Sequence, residues 1–214
     1  MEDLNSTAAG IAHDINNELT LILNHLSLRN VDAARVATKR CASLARNLLT
    51  LCRHSRLSPD NRAVDLTAFV SDFALNLRLP EDILLDLDLP AEPRLVLADP
   101  AYLTRILLNL VRNSCDAMSE SETPESGTLS IRLSGDAASG GVVSVQDSGP
   151  GIHPSWSDCI FEPWFSTKGP GGSGLGLAIV RDLMQKQGGS IVLNARPGEG
   201  ACFELRFQPC SGAI

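Results

Sequence analysis

Apolar residues at Leu4, Ala8, Ile11, Ile15, Leu19, Ile22 and Leu26 recur every three or four positions. That period belongs to an α-helix with one narrow apolar seam, of the kind that packs in a coiled coil or bundle. A second seam runs through Ala37, Cys41, Leu44, Leu48 and Leu51. Between the two lies Arg29-Asn30-Val31-Asp32, with Asp32 in position to cap the second helix. Two amphipathic helices joined by a short loop form an antiparallel hairpin. A hairpin alone is too small to bury such seams, so the pattern predicts a homodimer in which residues 1–57 build a four-helix bundle. Packing of the hairpin on the rest of the same chain is the alternative.

The pattern changes at Ser58-Pro59-Asp60-Asn61-Arg62, a polar stretch with a helix breaker that marks 58–64 as a linker. Leu66 to Leu79 reads as a helix, and Ile83 to Leu89 and Arg94 to Ala98 read as strands. Asp99-Pro100 supplies an N-cap and a proline at the first helical position, opening a helix to about Met118. Strands are predicted from Thr128 to Leu133, Val142 to Gln146, Ser190 to Asn194 and Ala201 to Phe207, with a helix from Gly174 to Gln187. The fold class is therefore α+β: a helical hairpin followed, over 65–210, by an α/β sandwich with helices on one face of one sheet.

Composition narrows the function. The 214 residues carry 43% hydrophobic and 20% charged residues, an ordinary globular balance. A net charge of −7 speaks against a nucleic-acid surface, which needs a basic patch. The six cysteines, at 41, 52, 115, 159, 202 and 210, form no CxxC pair and no metal-ligand spacing with histidine. They read as free thiols of a reducing cytoplasm. No apolar run approaches the ~20 residues of a membrane span, and the acidic, polar start is not a signal peptide. The expectation is a soluble, cytoplasmic chain without membrane contact.

Four stretches carry candidate chemistry. In Ala9-Gly10-Ile11-Ala12-His13-Asp14-Ile15-Asn16-Asn17-Glu18-Leu19, a histidine stands beside a carboxylate, opposite the seam residues Ile11 and Ile15. It is either a solvated polar face or a nucleophile with its base. Asn109, Asn113 and Asp116, spaced four and three, share a helix face. Their hard oxygens suit Mg²⁺, and a solvated face is the equal alternative. Asp147-Ser148-Gly149-Pro150-Gly151 ends a strand with a carboxylate and two glycines, and by itself reads best as a tight turn. Gly171-Gly172-Ser173-Gly174-Leu175-Gly176 precedes a helix whose first N–H groups would face an anion, although no Walker lysine follows.

In this order, and with Gly198-Glu199-Gly200-Ala201-Cys202-Phe203 behind them, the stretches resemble the N, G1, G2 and G3 boxes of the sensor histidine kinases. Phe161-Glu162-Pro163-Trp164-Phe165-Ser166-Thr167-Lys168 resembles their F box, and the histidine stretch resembles their H box in its His-Asp-x-x-Asn form. The resemblance runs from about Leu4 to Phe207. It implies a dimerisation and phosphotransfer hairpin, then an ATP-binding domain of the Bergerat type shared with gyrase-type ATPases and Hsp90 chaperones. His13 would accept the γ-phosphoryl group of ATP, Asp14 would orient the imidazole and take its proton, and Asn17 would position water for a phosphatase reaction. Asn113 would hold Mg²⁺, Asn109 would lie close to the phosphates with Asp116 on the same face, and Asp147 would accept from the adenine amino group. Gly149 and Gly151 would open the pocket. Gly172, Ser173, Gly174, Leu175 and Gly176 would form the phosphate loop, with Lys168 reaching the γ-phosphate. The implied partner is a response-regulator receiver domain. Two departures stand out: Ala201 replaces a small hydroxyl residue that helps hold adenine, and the helix from His13 to the turn is short, 17 residues or ~25 Å. The other readings are a phosphotransfer adaptor with a non-catalytic ATP-like domain, and a chaperone- or gyrase-like ATPase without histidine chemistry.

Overall fold

The computed structural model describes residues 2–38, 41–42, 45, 58–119, 127–136, 139–167, 174–195 and 198–210. The chain divides into two compact units, one of 1–58 with 162–176 and one of 59–161 with 177–214.

The first unit opens with α1, Glu2–Ser27. Its end is closed by Arg29 in the left-handed region, φ 55°, and by the Asn30 N–H, which donates to His25 O over 2.8 Å. This is the wrap-around that satisfies the last carbonyls of a helix. A second helix, α2, is described over 31–38. Its cap is Asn30 rather than Asp32: Asn30 Oδ1 accepts from Ala33 N at 3.1 Å. Both residues are cap formers. The tight exit from α1 leaves Asn30 as the residue next to the first free N–H groups, and Asp32 is already inside the helix.

The seam of α1 also differs from the single stripe predicted. Ile15, Glu18, Ile22 and His25 are half-buried, whereas Leu19, Leu23 and Leu26 lie exposed on a second stripe. The lower positions of the second seam, Leu44, Leu48 and Leu51, lie outside the described residues.

The second unit begins one element earlier than the linker prediction allowed. Arg62–Asp65 forms β1, pairing antiparallel with β3, Leu95–Ala98, in a small separate sheet. Asp65 ends β1 and caps α3, Leu66–Asn76, accepting from Thr67 N at 3.0 Å. Helix α3 stops before Leu79, because Leu77 is already extended on the approach to Pro80.

The main sheet has the order β2-β4-β5-β7-β6. Its strands are β2 (Ile83–Asp88), β4 (Gly127–Asp136), β5 (Gly140–Asp147), β6 (Ser190–Ala195) and β7 (Ala201–Phe207). Neighbours run antiparallel except β2 and β4. Alternate residues Leu129, Ile131, Val143, Val145, Phe203 and Leu205 are buried, whereas Arg132, Gln146 and Arg206 are exposed on the other face. One face therefore carries the core and the other faces water. The core is completed by α4, Pro100–Ser119, through Leu103, Ile106, Leu107 and Leu110, and by α5, Gly176–Lys186, through Ile179, Val180, Leu183 and Met184.

Buried Asp99 ties several of these elements together. Its Oδ1 caps α4 by accepting from Ala101 N at 2.8 Å and Tyr102 N at 3.3 Å. Its Oδ2 accepts from Asp60 N at 2.9 Å, and its own N–H donates to Gln187 Oε1 at 3.2 Å. No helix among the described residues is long and apolar enough to cross a membrane.

Candidate functional site

The site is best built outward from Asp147. It is the last residue of β5 and only 4% exposed. Alternation along the strand turns it to the core side, where an ionised carboxylate needs donors. Two main-chain N–H groups meet Oδ1: Gly149 at 3.0 Å and Ala201 at 3.2 Å. These fix the orientation of the carboxyl group. Gly149 lies close against Ala117 at the C-terminal end of α4, and Gly151 follows at φ 76°. Gly200 has φ 80°, and any β-carbon there would run into Asp147 O. The two turns therefore close around one carboxylate, and Gly198 N donates to Pro150 O at 2.9 Å to hold them together.

The C-terminal end of α4 reaches the same place through Ala117. Asn109, Asn113 and Asp116 are all half-buried, at the border between the core face and the exposed positions Thr104, Leu108 and Arg112. Asn109 Nδ2 donates to Arg105 O at 3.0 Å, so the amide is oriented by its own helix and its Oδ1 is left for a group outside it. Amide oxygens so placed are hard donors that fit Mg²⁺. Next to Asp116, burial pushes the Cys115 thiol above its ordinary pKa, and the Asp116 charge adds to the effect. Burial likewise raises the Cys202 thiol on β7, with Glu204 adding to it.

The remaining sequence-predicted residues fall elsewhere. In the first unit, His13 and Asp14 lie within α1, where the backbone alone is described, and Asn17 is exposed one turn further along. Lys168, Gly172 and Ser173 lie outside the described residues. Gly174, at φ 62°, lies so close to the Trp164 carbonyl that a side chain would not fit. Gly174 O in turn accepts from Trp164 N at 3.0 Å. Leu175 is buried and Gly176 opens α5. In the second unit, Phe161, which starts the F-box stretch, packs edge-on against Phe203 at 6.4 Å.

Sequence reasoning missed the Ala201 N–H, because a main-chain donor leaves no mark on residue type. It also missed Arg105, whose signal was present: it stands four residues before Asn109.

This arrangement defines a class. The chain belongs to the histidine kinase-, DNA gyrase B- and HSP90-like ATPase family, whose match covers residues 98–210. Within that family its curated relatives are sensor kinases, and the chain carries a histidine kinase catalytic core. Sensor kinase CckA of Brucella abortus (strain 2308) is 32% identical over 238 residues, covering 98% of this chain and 24% of that protein. Sensor histidine kinase ZraS of Escherichia coli (strain K12) is 33% identical over 231 residues, covering 94% of this chain and 45% of that protein. The chain thus spans less than half the length of these relatives. The crystal structure of full-length ShkA in complex with AMPPNP shares the fold, with a TM-score of 0.70 at 23% identity over 100% of this chain and 47% of that one.

Proposed function

We propose that this chain is an ATP-dependent protein histidine kinase core. It would phosphorylate His13 and pass the group to an aspartate on a response-regulator receiver domain. The observation that carries the reading is the carboxylate of Asp147, buried and held by the Gly149 and Ala201 N–H groups, with Gly149 against Ala117 at the C-terminal end of the helix that bears Asn109, Asn113 and Asp116. A buried carboxylate of this kind favours a ligand that brings an N–H donor to it. Adenine supplies that donor through its exocyclic amine, and Gly149 and Gly151 keep the approach open.

The triphosphate would fall along the polar face of α4. Asn113 would hold Mg²⁺, which when bound offsets charge on the phosphates, and Asn109 would lie close to the phosphates. Main-chain N–H groups at the start of α5, in the stretch Gly172 to Gly176, would add donors for phosphate oxygens, and Lys168 would add a charge. In the transfer, the bond from the γ-phosphorus to the bridging oxygen breaks, a bond to a His13 ring nitrogen forms, and ADP leaves. Asp14 holds the imidazole and takes the proton from it. Positioning and charge stabilisation account for most of such a reaction. Asn17, one turn beyond His13, would position water for the reverse task of dephosphorylating the partner.

The exposed stripe Leu19, Leu23 and Leu26 supports homodimerisation through the hairpin of residues 1–57. Ala201 contributes only its N–H to Asp147 where relatives of the resembled family offer a hydroxyl, so ATP affinity is expected at the weak end.

The test is incubation with γ-labelled ATP and Mg²⁺. Acid-labile, alkali-stable label on the wild type, absent from His13→Ala although that variant still binds nucleotide, is the expected result. Label that persists on His13→Ala would overturn the assignment.

A further inference from the structure

The polar row on α4 begins before Asn109. One turn earlier on the same side stands Arg105, half-buried, with its Nε shut off from solvent and making no hydrogen bond. Among the described residues no carboxylate forms an ion pair with it, and the Asn109 side chain meets its main-chain oxygen rather than its guanidinium. Burial lowers its pKa, yet a guanidinium stays charged in a protein. An Nε–H kept from water without an acceptor is unfavourable, and an anion that accepts from it removes the penalty.

The row has a direction. Its C-terminal end, at Ala117, lies against Gly149 and so beside Asp147. From there Asp116, Asn113, Asn109 and Arg105 run away from the carboxylate in steps of roughly 5–6 Å. Helical side chains lean toward the N-terminus, which carries the long Arg105 side chain still further out. A ligand with its base at Asp147 and phosphates beside the asparagines would present its outermost phosphate at this end. The planar guanidinium, with its fork of donors, matches a terminal phosphate with several free oxygens.

We propose that Arg105 contacts the terminal phosphate of the bound nucleotide, so that the site separates a nucleoside triphosphate from a diphosphate. This rests on the nucleotide reading of the Asp147 site.

The experiment is calorimetric titration of the full chain with Mg²⁺ and either ADP or the non-hydrolysable analogue AMPPNP. Arg105→Ala should weaken AMPPNP roughly 10- to 100-fold, the worth of a charged hydrogen-bond partner, and ADP less than about 3-fold. Arg112→Ala, an exposed arginine on the same helix, should change neither. Retained ADP binding shows that the variant is folded. Should Arg105→Ala lose ADP as well, Arg105→Gln, which keeps length and polarity, must show the same split. Equal weakening of both nucleotides in both variants, or no weakening, overturns the proposal. A wild-type chain that binds neither nucleotide overturns the nucleotide reading, and this inference with it.

Discussion

Helix α4 buries Tyr102, Leu103, Ile106, Leu107, Leu110 and Val111 within its own unit, most of them to 3% exposure or less. Helix α1, over its described side chains from Ile15, buries none fully and leaves Leu23 at 66% exposure and Leu26 at 53%. Both are amphipathic. The difference is where the partner surface comes from. For α4 it is the sheet formed by the same chain, so the helix is complete as a monomer. For α1, over its described side chains, one stripe is half-covered and another is bare, so its cover is not complete within α1 itself. Amphipathicity thus measures how much surface needs covering, and says nothing about whose surface covers it.

That contrast can be broken by substitution. The largest effect is expected at Leu110→Ala, which leaves a cavity in a closed core. Urea denaturation followed by near-ultraviolet signal should lose about 2–5 kcal/mol, independent of protein concentration. A loss that varied with concentration would mean that α4 also depends on a second copy. At the open helix, Leu23→Asp should convert a sedimenting dimer into a monomer while the unfolding midpoint of the second unit stays in place. Leu23→Ala should weaken the dimer by about 1.5–3 kcal/mol per copy, the value of one leucine burial. A wild-type chain that sediments as a monomer would remove the basis for reading α1 as open. The smallest effect sharpens the closed side. Cys115 has its thiol pKa raised by burial and by Asp116, so less thiolate is present near neutral pH than for an unperturbed thiol. Alkylation of Cys115 in the native chain should be slow, should rise as pH is raised beyond the ordinary thiol range, and should lose its retardation in urea. Native alkylation as fast as in urea would place Cys115 in open solvent.

Much of the second unit was legible because its signals are local. Asp99-Pro100 marks a helix start through the only chemistry that such a pair offers, and α4 begins at Pro100. Alternation in Ala201–Phe207 gave β7 to the residue. What could not be read was set by contacts between distant segments. Strand β1 is four residues with one buried side chain, Val64, hidden behind a polar run, and it exists because β3 lies 33 residues away to pair with it: Val64 faces Val96 and Asp65 faces Leu95, whereas Arg62 faces Ala98. The division of the α1 seam into two stripes depends on which neighbours arrive, which a 3.6-residue period does not record. In the candidate site, Asp147 and Gly149 were visible as residue types. The Ala201 N–H and the lack of a partner at Arg105 Nε are properties of geometry alone.

The Asp99 knot has a mechanical meaning. Asp60 N is held by Asp99 Oδ2, and Asn61 Nδ2 reaches Gln187 O at 3.5 Å. The polypeptide therefore enters the second unit clamped at two adjacent residues, one to the N-terminal end of α4 and one to the chain just past α5. Asp60 and Asn61 thus act as the fixed end of a lever: a displacement imposed at this pair would bear on the N-terminal root of α4 and the C-terminal root of α5 together.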